Sequence, residues 1–304
     1  LLDSEIFSIG AKFIDIETLV LLIFFIPLLG SVRIPVLGWI GRKRATGYLA
    51  VALIGTAHVL TWFLLGSALS GRTLQWSFSL YKMVNFSLTF DALSAFMAFT
   101  SSLIATLIAI YSLGYIEHDD DEPEYYFVVT LFLGAMMGLV FSTNLIFLYL
   151  FWEISALACW RLIGYFREPD YIWKADKAFL VTFGGAVFML LGFTLLYFQF
   201  GTLEVTELRG HEIGGVALLL ILAGIFSKSA TVPLHTWLPD AGVAPSTITS
   251  LLHAAILVKI GLYGFARLFV NGLTIAPEWE TFILIMALAS AFISACAALM
   301  ETNI

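Results

Sequence analysis

Apolar positions along this chain are gathered into long blocks separated by short polar segments. A membrane helix needs about 20 mostly apolar residues. About nine stretches reach that length: 17–40, 46–69, 91–116, 125–142, 144–165, 177–200, 214–238, 245–270 and 279–300. One interval has a different period. Leu74, Trp76, Phe78 and Leu80 alternate with polar residues, as do Phe86, Leu88 and Phe90, so a small extramembrane hairpin is expected over 73–90. Asp91 follows at once and precedes an apolar run, the place of a helix N-cap. Pro233 lies inside the seventh block, where it removes a backbone donor and clashes with the preceding turn, so that helix should kink or break. The pattern predicts an all-α polytopic membrane protein of about nine transmembrane helices, one of them broken, with one small β-hairpin.

Composition agrees with this pattern. Apolar residues make up 60% of the 304 and charged residues 12%, where soluble domains carry about 25% charged residues. There is no basic stripe of the kind that binds nucleic acid. Cys159 and Cys296 both fall inside apolar runs, which argues against a disulfide framework or a cysteine-based metal site. The first apolar run has no basic segment before it and is followed by Arg42, Lys43 and Arg44, so no cleavable signal peptide is expected. The chain starts without Met and stops at Ile304 directly after an apolar run, and a trimmed or incomplete chain is the expectation.

Orientation follows from Lys and Arg in short loops. One set of alternate loops holds Arg42, Lys43, Arg44, Arg167 and Lys174, with Arg161 and Lys177 at the adjoining helix ends. The other holds mainly Arg72, Lys82 and Arg209. The first set should face the cytoplasm, leaving the N-terminus and the hairpin outside. The acidic loop Glu117 to Glu122 falls on the same inner side, read as a solvated turn, with a metal site as the minority alternative.

Ionisable side chains deep in an apolar run cost about 2.5–3.5 kcal/mol even on insertion scales, so each needs a reason. Glu153 lies ~13 Å into its helix and Lys228 ~21 Å into the next but one, counted at the α-helical rise. Lys259 stands at a similar depth, with His253 roughly 9 Å before it. Such a row of acid, base and imidazole resembles a proton relay. Burial disfavours a charged lysine and a nearby carboxylate restores it, so a Glu153–Lys228 pair that forms and breaks would move a proton on and off Lys228. His253 and His235 can accept or pass a proton near neutral pH. The alternative is a static ion pair fixing helix register and, for His235, a hydrogen-bonded structural role. Lys228 precedes Pro233 by five residues, so charge and helix break share one locality. Broken backbone is tolerated at membrane depth only when buried in protein or lining a watery cavity, so Lys228 is expected to face the bundle interior within a polar cavity.

The stretch from Lys228 through His235, Trp237, Pro239 and Asp240, then Ala244-Pro-Ser-Thr and Leu252-His253 to Lys259, resembles the antiporter-like subunits of the complex I superfamily, as does Phe151-Trp-Glu153. That family includes large membrane subunits of respiratory NADH–quinone oxidoreductase, of membrane-bound hydrogenases and of Mrp-type sodium/proton antiporters. The resemblance covers essentially the whole chain. It implies that Glu153 is the family's helix-5 glutamate, Lys228 its helix-7 lysine, and His253 and Lys259 its helix-8 connecting positions. It also implies inverted five-helix repeats: 1–116 as peripheral helices, 125–270 as the first repeat, and 279–304 as the start of an incomplete second one. Thr182 to Phe193 looks closer to Mrp-type and hydrogenase-type members than to the NADH-dehydrogenase type.

No cluster-binding cysteines, dinucleotide fingerprint or Walker loop is present in the sequence, so no cofactor and no catalytic residue are assigned. The leading expectation is a proton- or sodium-translocating subunit of a redox-driven complex in a prokaryotic cell membrane, with other membrane subunits and a peripheral redox arm as partners. The alternatives are a secondary sodium/proton antiporter subunit without a redox partner, and a non-conducting structural subunit. Retention of Glu153, Lys228 and Lys259 argues against the last, because a purely structural helix would gain by losing them.

Overall fold

The computed structural model describes residues 15–81, 84–117 and 121–300, the side chains at 81, 84 and 253–255 excepted. Its elements are α1 (Ile16–Ser31), α2 (Arg33–Trp39), α3 (Lys43–Leu69), β1 (Leu74–Tyr81), β2 (Val84–Phe90), α4 (Ala92–Tyr115), α5 (Glu122–Phe141) and α6 (Leu145–Ile163). There follow α7 (Pro169–Phe200), β3 (Glu212–Ile213), α8 (Gly215–Lys228), α9 (Trp237–Asp240), α10 (Ser246–Thr249), α11 (Leu257–Phe265), β4 (Thr274–Ile275) and α12 (Pro277–Met300). Among the described residues, eight helical spans are long and apolar enough to cross a membrane. The ninth expected span is the broken one: only Gly215–Lys228 is regular helix, and turns follow it. The seventh and eighth spans also differ from the sequence pattern. α7 starts at Pro169, because the charged stretch before Ala178 continues the helix as polar turns. The span Ser246–Val270 is α10 and α11 with π-helical turns at Ser250–Ala255 and Ala266–Val270.

α5 is the centre of the bundle. Its apolar window is 83% buried, and α1, α3, α4 and α6 all pack on it. α7 pairs most extensively with α8, and α11 also packs on α8. α12 has no buried residue.

The two ends of the bundle are built differently. At one end the antiparallel hairpin pairs Trp76 with Leu88 and Phe78 with Phe86. Leu88 bridges to Ser142 and Asn144 to Glu204, so the hairpin lies over the α5–α6 turn and the loop after α7. β3 and β4 add a short parallel pairing there. Asp91 caps α4 as expected, accepting the Ser94 N–H while the Ser94 hydroxyl accepts the Asp91 N–H. At the other end, ion pairs join the basic and acidic loops. Arg44 meets Glu117, Arg161 meets Glu124, and Arg167 meets both Asp121 and Glu124. The acidic loop therefore neutralises the basic loops on its own side. The hairpin and the loop after α6 lie at opposite ends of α5, as the loop charges predicted. Among the described residues no acidic, histidine or cysteine cluster could hold a metal ion. Lys82 and His118 to Asp120 lie outside the described residues.

Candidate ion-translocation site

The site is built on the broken end of α8. This helix is apolar through Phe226 and stops at Lys228 by a Schellman-type closure. The Thr231 N–H reaches back to the Phe226 carbonyl at 2.9 Å, with Ala230 in the left-handed region at φ 53. Glycine normally occupies that position, so Ala230 carries local backbone strain. Two of the backbone groups freed by the break are satisfied by protein. The Trp237 indole N–H donates to the Ser227 carbonyl at 2.9 Å, and the Val232 N–H donates to the Ser290 hydroxyl of α12 at 3.0 Å. Close approach by neighbouring helices depends on missing side chains. A Cβ on Gly185 of α7 would sit 2.1 Å from the Ser227 hydroxyl, and one on Gly261 of α11 would sit 2.6 Å from the Ser229 Cβ.

Lys228 is wholly buried. Its Nζ donates to the Trp152 carbonyl at 3.2 Å and stands 5.7 Å from the centre of the Trp152 ring. Among the described residues, three ammonium protons thus share one long hydrogen bond and one aromatic face. A polar cavity was expected here. The crevice reaching Lys228 is instead lined mostly by apolar groups, including Ala156, Cys159, Phe179, Trp237 and Leu257, and is too tight to admit water.

Glu153 follows Trp152 on α6 and is half-buried. Among the described residues its enclosed Oε1 has no hydrogen-bond partner, and the Lys228 ammonium is bonded to the neighbouring carbonyl rather than to this carboxylate. The structure brings Lys228 to the Glu153 turn of α6 without forming the direct ion pair. His235 lies in the turns beyond the break, half-buried, with Nδ1 enclosed and unpartnered. Lys259 is half-buried on α11, the helix that packs on α8. The side chain of His253 lies outside the described residues. Three of the buried polar atoms without a partner belong to Trp152, Glu153 and His235, so unsatisfied groups concentrate around the break.

A second buried cation stands at the hairpin end. Arg267 is 4% exposed and grips Asp91 with two bonds of 2.6 and 3.0 Å. Its Nε donates to the Tyr263 hydroxyl at 2.9 Å, which donates in turn to the Val140 carbonyl at 2.5 Å. Burial pushes the Asp91 carboxyl upward, but the Arg267 bonds and charge and the Ser94 bonds outweigh it, so the group is held below the usual carboxylate range. Sequence reasoning passed over Arg267, although an arginine inside the 245–270 run is the same signal that marked Lys228. It also passed over the Trp152 carbonyl, which no side-chain pattern encodes.

Comparison with known proteins places this geometry. Residues 142–304 match the family described as NADH:quinone oxidoreductase/Mrp antiporter, TM, and residues 76–126 match the N-terminus of complex I chain 5. The chain belongs to the NADH:quinone oxidoreductase/Mrp antiporter family. It is 35% identical over 254 residues to the A1 subunit of the Na(+)/H(+) antiporter of Staphylococcus haemolyticus, covering 80% of this chain and 31% of that protein. It is 36% identical over 255 residues to the corresponding Na(+)/H(+) antiporter subunit of Alkalihalophilus pseudofirmus, with the same coverage. The chain thus spans about a third of the length of the curated relatives it matches. Among solved structures it is similar to a chain of the Mrp complex from Dietzia sp. DQ12-45-1b, at TM-score 0.70 and 25% identity over 84% of this chain and 28% of that one. Its fold also matches a chain of the membrane-bound sulfane sulfur reductase, an archaeal respiratory membrane complex, at TM-score 0.76 and 22% identity over 88% of this chain and 56% of that one. The segment matched by the antiporter family contains Glu153, Lys228, His235, His253 and Lys259.

Proposed function

We propose that this chain is an ion-translocating unit of a multisubunit membrane complex, in which Lys228 takes up and releases a proton. The observation that carries this is a wholly buried ammonium at the end of an interrupted helix, held by a single carbonyl bond beside a carboxylate oxygen with no partner. A charge so poorly solvated is costly in low dielectric unless a counter-charge is brought to it. Glu153 is the nearest candidate by sequence, one residue from the carbonyl that Lys228 holds. Movement of its carboxylate toward Nζ would favour the protonated lysine, and withdrawal would favour release. Lys259, with His253 or His235, would carry the proton onward.

In this proposal 125–270 is the working repeat, 1–116 is its flank, and 279–304 begins a second repeat. The end bearing Arg44, Arg161 and Arg167 faces the cytoplasm of a prokaryotic cell, which places the N-terminus outside. Relatives named as Na(+)/H(+) antiporter subunits favour sodium/proton exchange over redox-driven pumping. The redox-driven reading, with a peripheral arm as partner, draws on the fold shared with a respiratory complex.

The test is sodium-driven proton movement in vesicles carrying the intact complex. Lys228→Ala should lower the rate by about two orders of magnitude and Glu153→Gln by about tenfold, the scale of losing a positioned proton-transfer group. Assembly checked on a native gel should be unchanged. Wild-type rates in both variants would reject the relay.

A further inference from the structure

A cavity of about 270 Å³ opens at the hairpin end, away from Lys228, and five separate segments line it. Gln75 and Thr89 come from the hairpin, Asp91 from the α4 cap, Thr143 from the α5–α6 turn, Thr206 and Arg209 from the loop after α7, and Arg267 and Asn271 from the end of the span after α10. Its charge is already sorted. Both Asp91 oxygens are occupied, one by Arg267 and the Ser94 N–H, the other by Arg267. Asp91 and Arg267 cancel, which leaves the Arg209 guanidinium as the uncompensated charge of the lining. Among the described residues neither Arg209 nor the Thr143 hydroxyl has a protein partner, although Thr143 is only 4% exposed. Arg209 is exposed at the mouth of the cavity, and the buried Thr143 hydroxyl beside it is the group arranged to meet something polar.

We propose that this cavity binds a phosphate group. The charge of the lining that has no protein partner is positive, which disfavours a cation, and Gln75, Thr206 and Asn271 at the mouth and Thr143 deeper in line the cavity as further hydroxyl and amide donors. Donors arriving from several directions suit a tetrahedral oxyanion better than a planar carboxylate, and arginine is the side chain matched to phosphate geometry. Depth points the same way. Asp91, Thr143 and Asn271 all mark the ends of membrane-spanning helices, so the cavity lies at the level where lipid phosphates sit. The phosphate belongs either to an anionic phospholipid or to free inorganic phosphate. The site does not depend on the proton relay.

The experiment has two arms, both on the intact complex. Inorganic phosphate is titrated calorimetrically into complex held in phosphatidylcholine nanodiscs. Separately, retained phosphatidylglycerol is counted by native mass spectrometry after reconstitution with that lipid. Arg209→Gln should weaken binding about tenfold or more, as expected for a lost charge-assisted bond. Thr143→Val, which keeps the side-chain shape, should weaken it several-fold, and Arg72→Gln on the same face should leave it unchanged. This pattern in the first arm identifies free phosphate, and in the second a lipid headgroup. Binding in neither arm, or binding indifferent to both Arg209→Gln and Thr143→Val, overturns the proposal.

Discussion

Lys228 and Arg267 are both buried cations on helices of one bundle, and their surroundings are opposite. Arg267 has a bidentate carboxylate and a tyrosine hydroxyl, itself anchored on a backbone carbonyl. Lys228 has one carbonyl at 3.2 Å and an aromatic face, with the neighbouring carboxylate oxygen left unpartnered. A fully matched ion pair is strongly destabilising to break, because its removal strands a buried counter-charge. An under-matched charge contributes little to the fold and is free to change its protonation. Both charges are buried, so burial alone does not separate them. On the function proposed above, what separates them is the shortfall at Lys228 between the donors and charge that the group offers and what the protein returns.

Removing each cation in turn is the strongest test of this contrast. Arg267→Met leaves Asp91 partly buried without its partner and should cost about 3–5 kcal/mol of stability. Lys228→Met fills the same space without a charge and should be neutral or stabilising by up to about 1 kcal/mol, while transport is abolished. Denaturant unfolding of the purified protein, read alongside vesicle transport, measures both. If Lys228→Met destabilised the protein as much as Arg267→Met, Lys228 would be structural. The Asp91 pair also has a predictable acid limit. A carboxyl held below its ordinary value stabilises the fold above about pH 4 and loses that contribution as pH falls through the lowered value. Asp91→Asn should remove this acid-dependent part of the unfolding curve.

Much of this contrast was readable in the chain. Period-2 alternation located the hairpin, Asp91 before an apolar run located a cap, and Pro233 near a deep lysine located the break, because each rests on local geometry or on the cost of burying charge. The partners of the two cations were not readable. Asp91 and Arg267 are separated by 176 positions, and only the packing of α4 against the span after α10 brings them together. Lys228 is met by a backbone carbonyl, and every residue has one. The start of α7 was misplaced for a related reason: hydrophobicity defines where a helix enters the membrane, not where its hydrogen bonds begin.

A smaller effect is expected at Trp237, whose indole N–H covers the Ser227 carbonyl exposed by the break. Trp237→Phe keeps an aromatic ring there and removes the donor. A buried carbonyl left unsatisfied costs about 1–3 kcal/mol, and the loss should fall in the lower half of that range because the smaller ring lets the turn relax. Since the substitution loosens the backbone next to Lys228 without touching its ammonium, hydrogen exchange at 226–232 should speed up. Unaltered exchange there would show that the indole bond does not hold the break.

The smallest effect belongs to Ala230, and it is a near-cancellation. The left-handed conformation at φ 53 costs a non-glycine residue about 1–2 kcal/mol, which Ala230→Gly would relieve. Against that, the substitution removes a nearly buried methyl worth up to about 0.8 kcal/mol and adds about 0.4–1 kcal/mol of unfolded-chain entropy. The net change in stability should stay within about 0.5 kcal/mol of zero, which denaturant unfolding can resolve against the larger shifts above. Transport should persist, because the Thr231 to Phe226 bond that closes α8 needs only the backbone geometry glycine adopts freely. A gain of more than about 1 kcal/mol would mean the break is held under greater strain than its dihedral angle indicates. Transport lost at unchanged stability would mean that the stiffness of alanine, and not the closed turn alone, keeps Lys228 beside the Trp152 carbonyl.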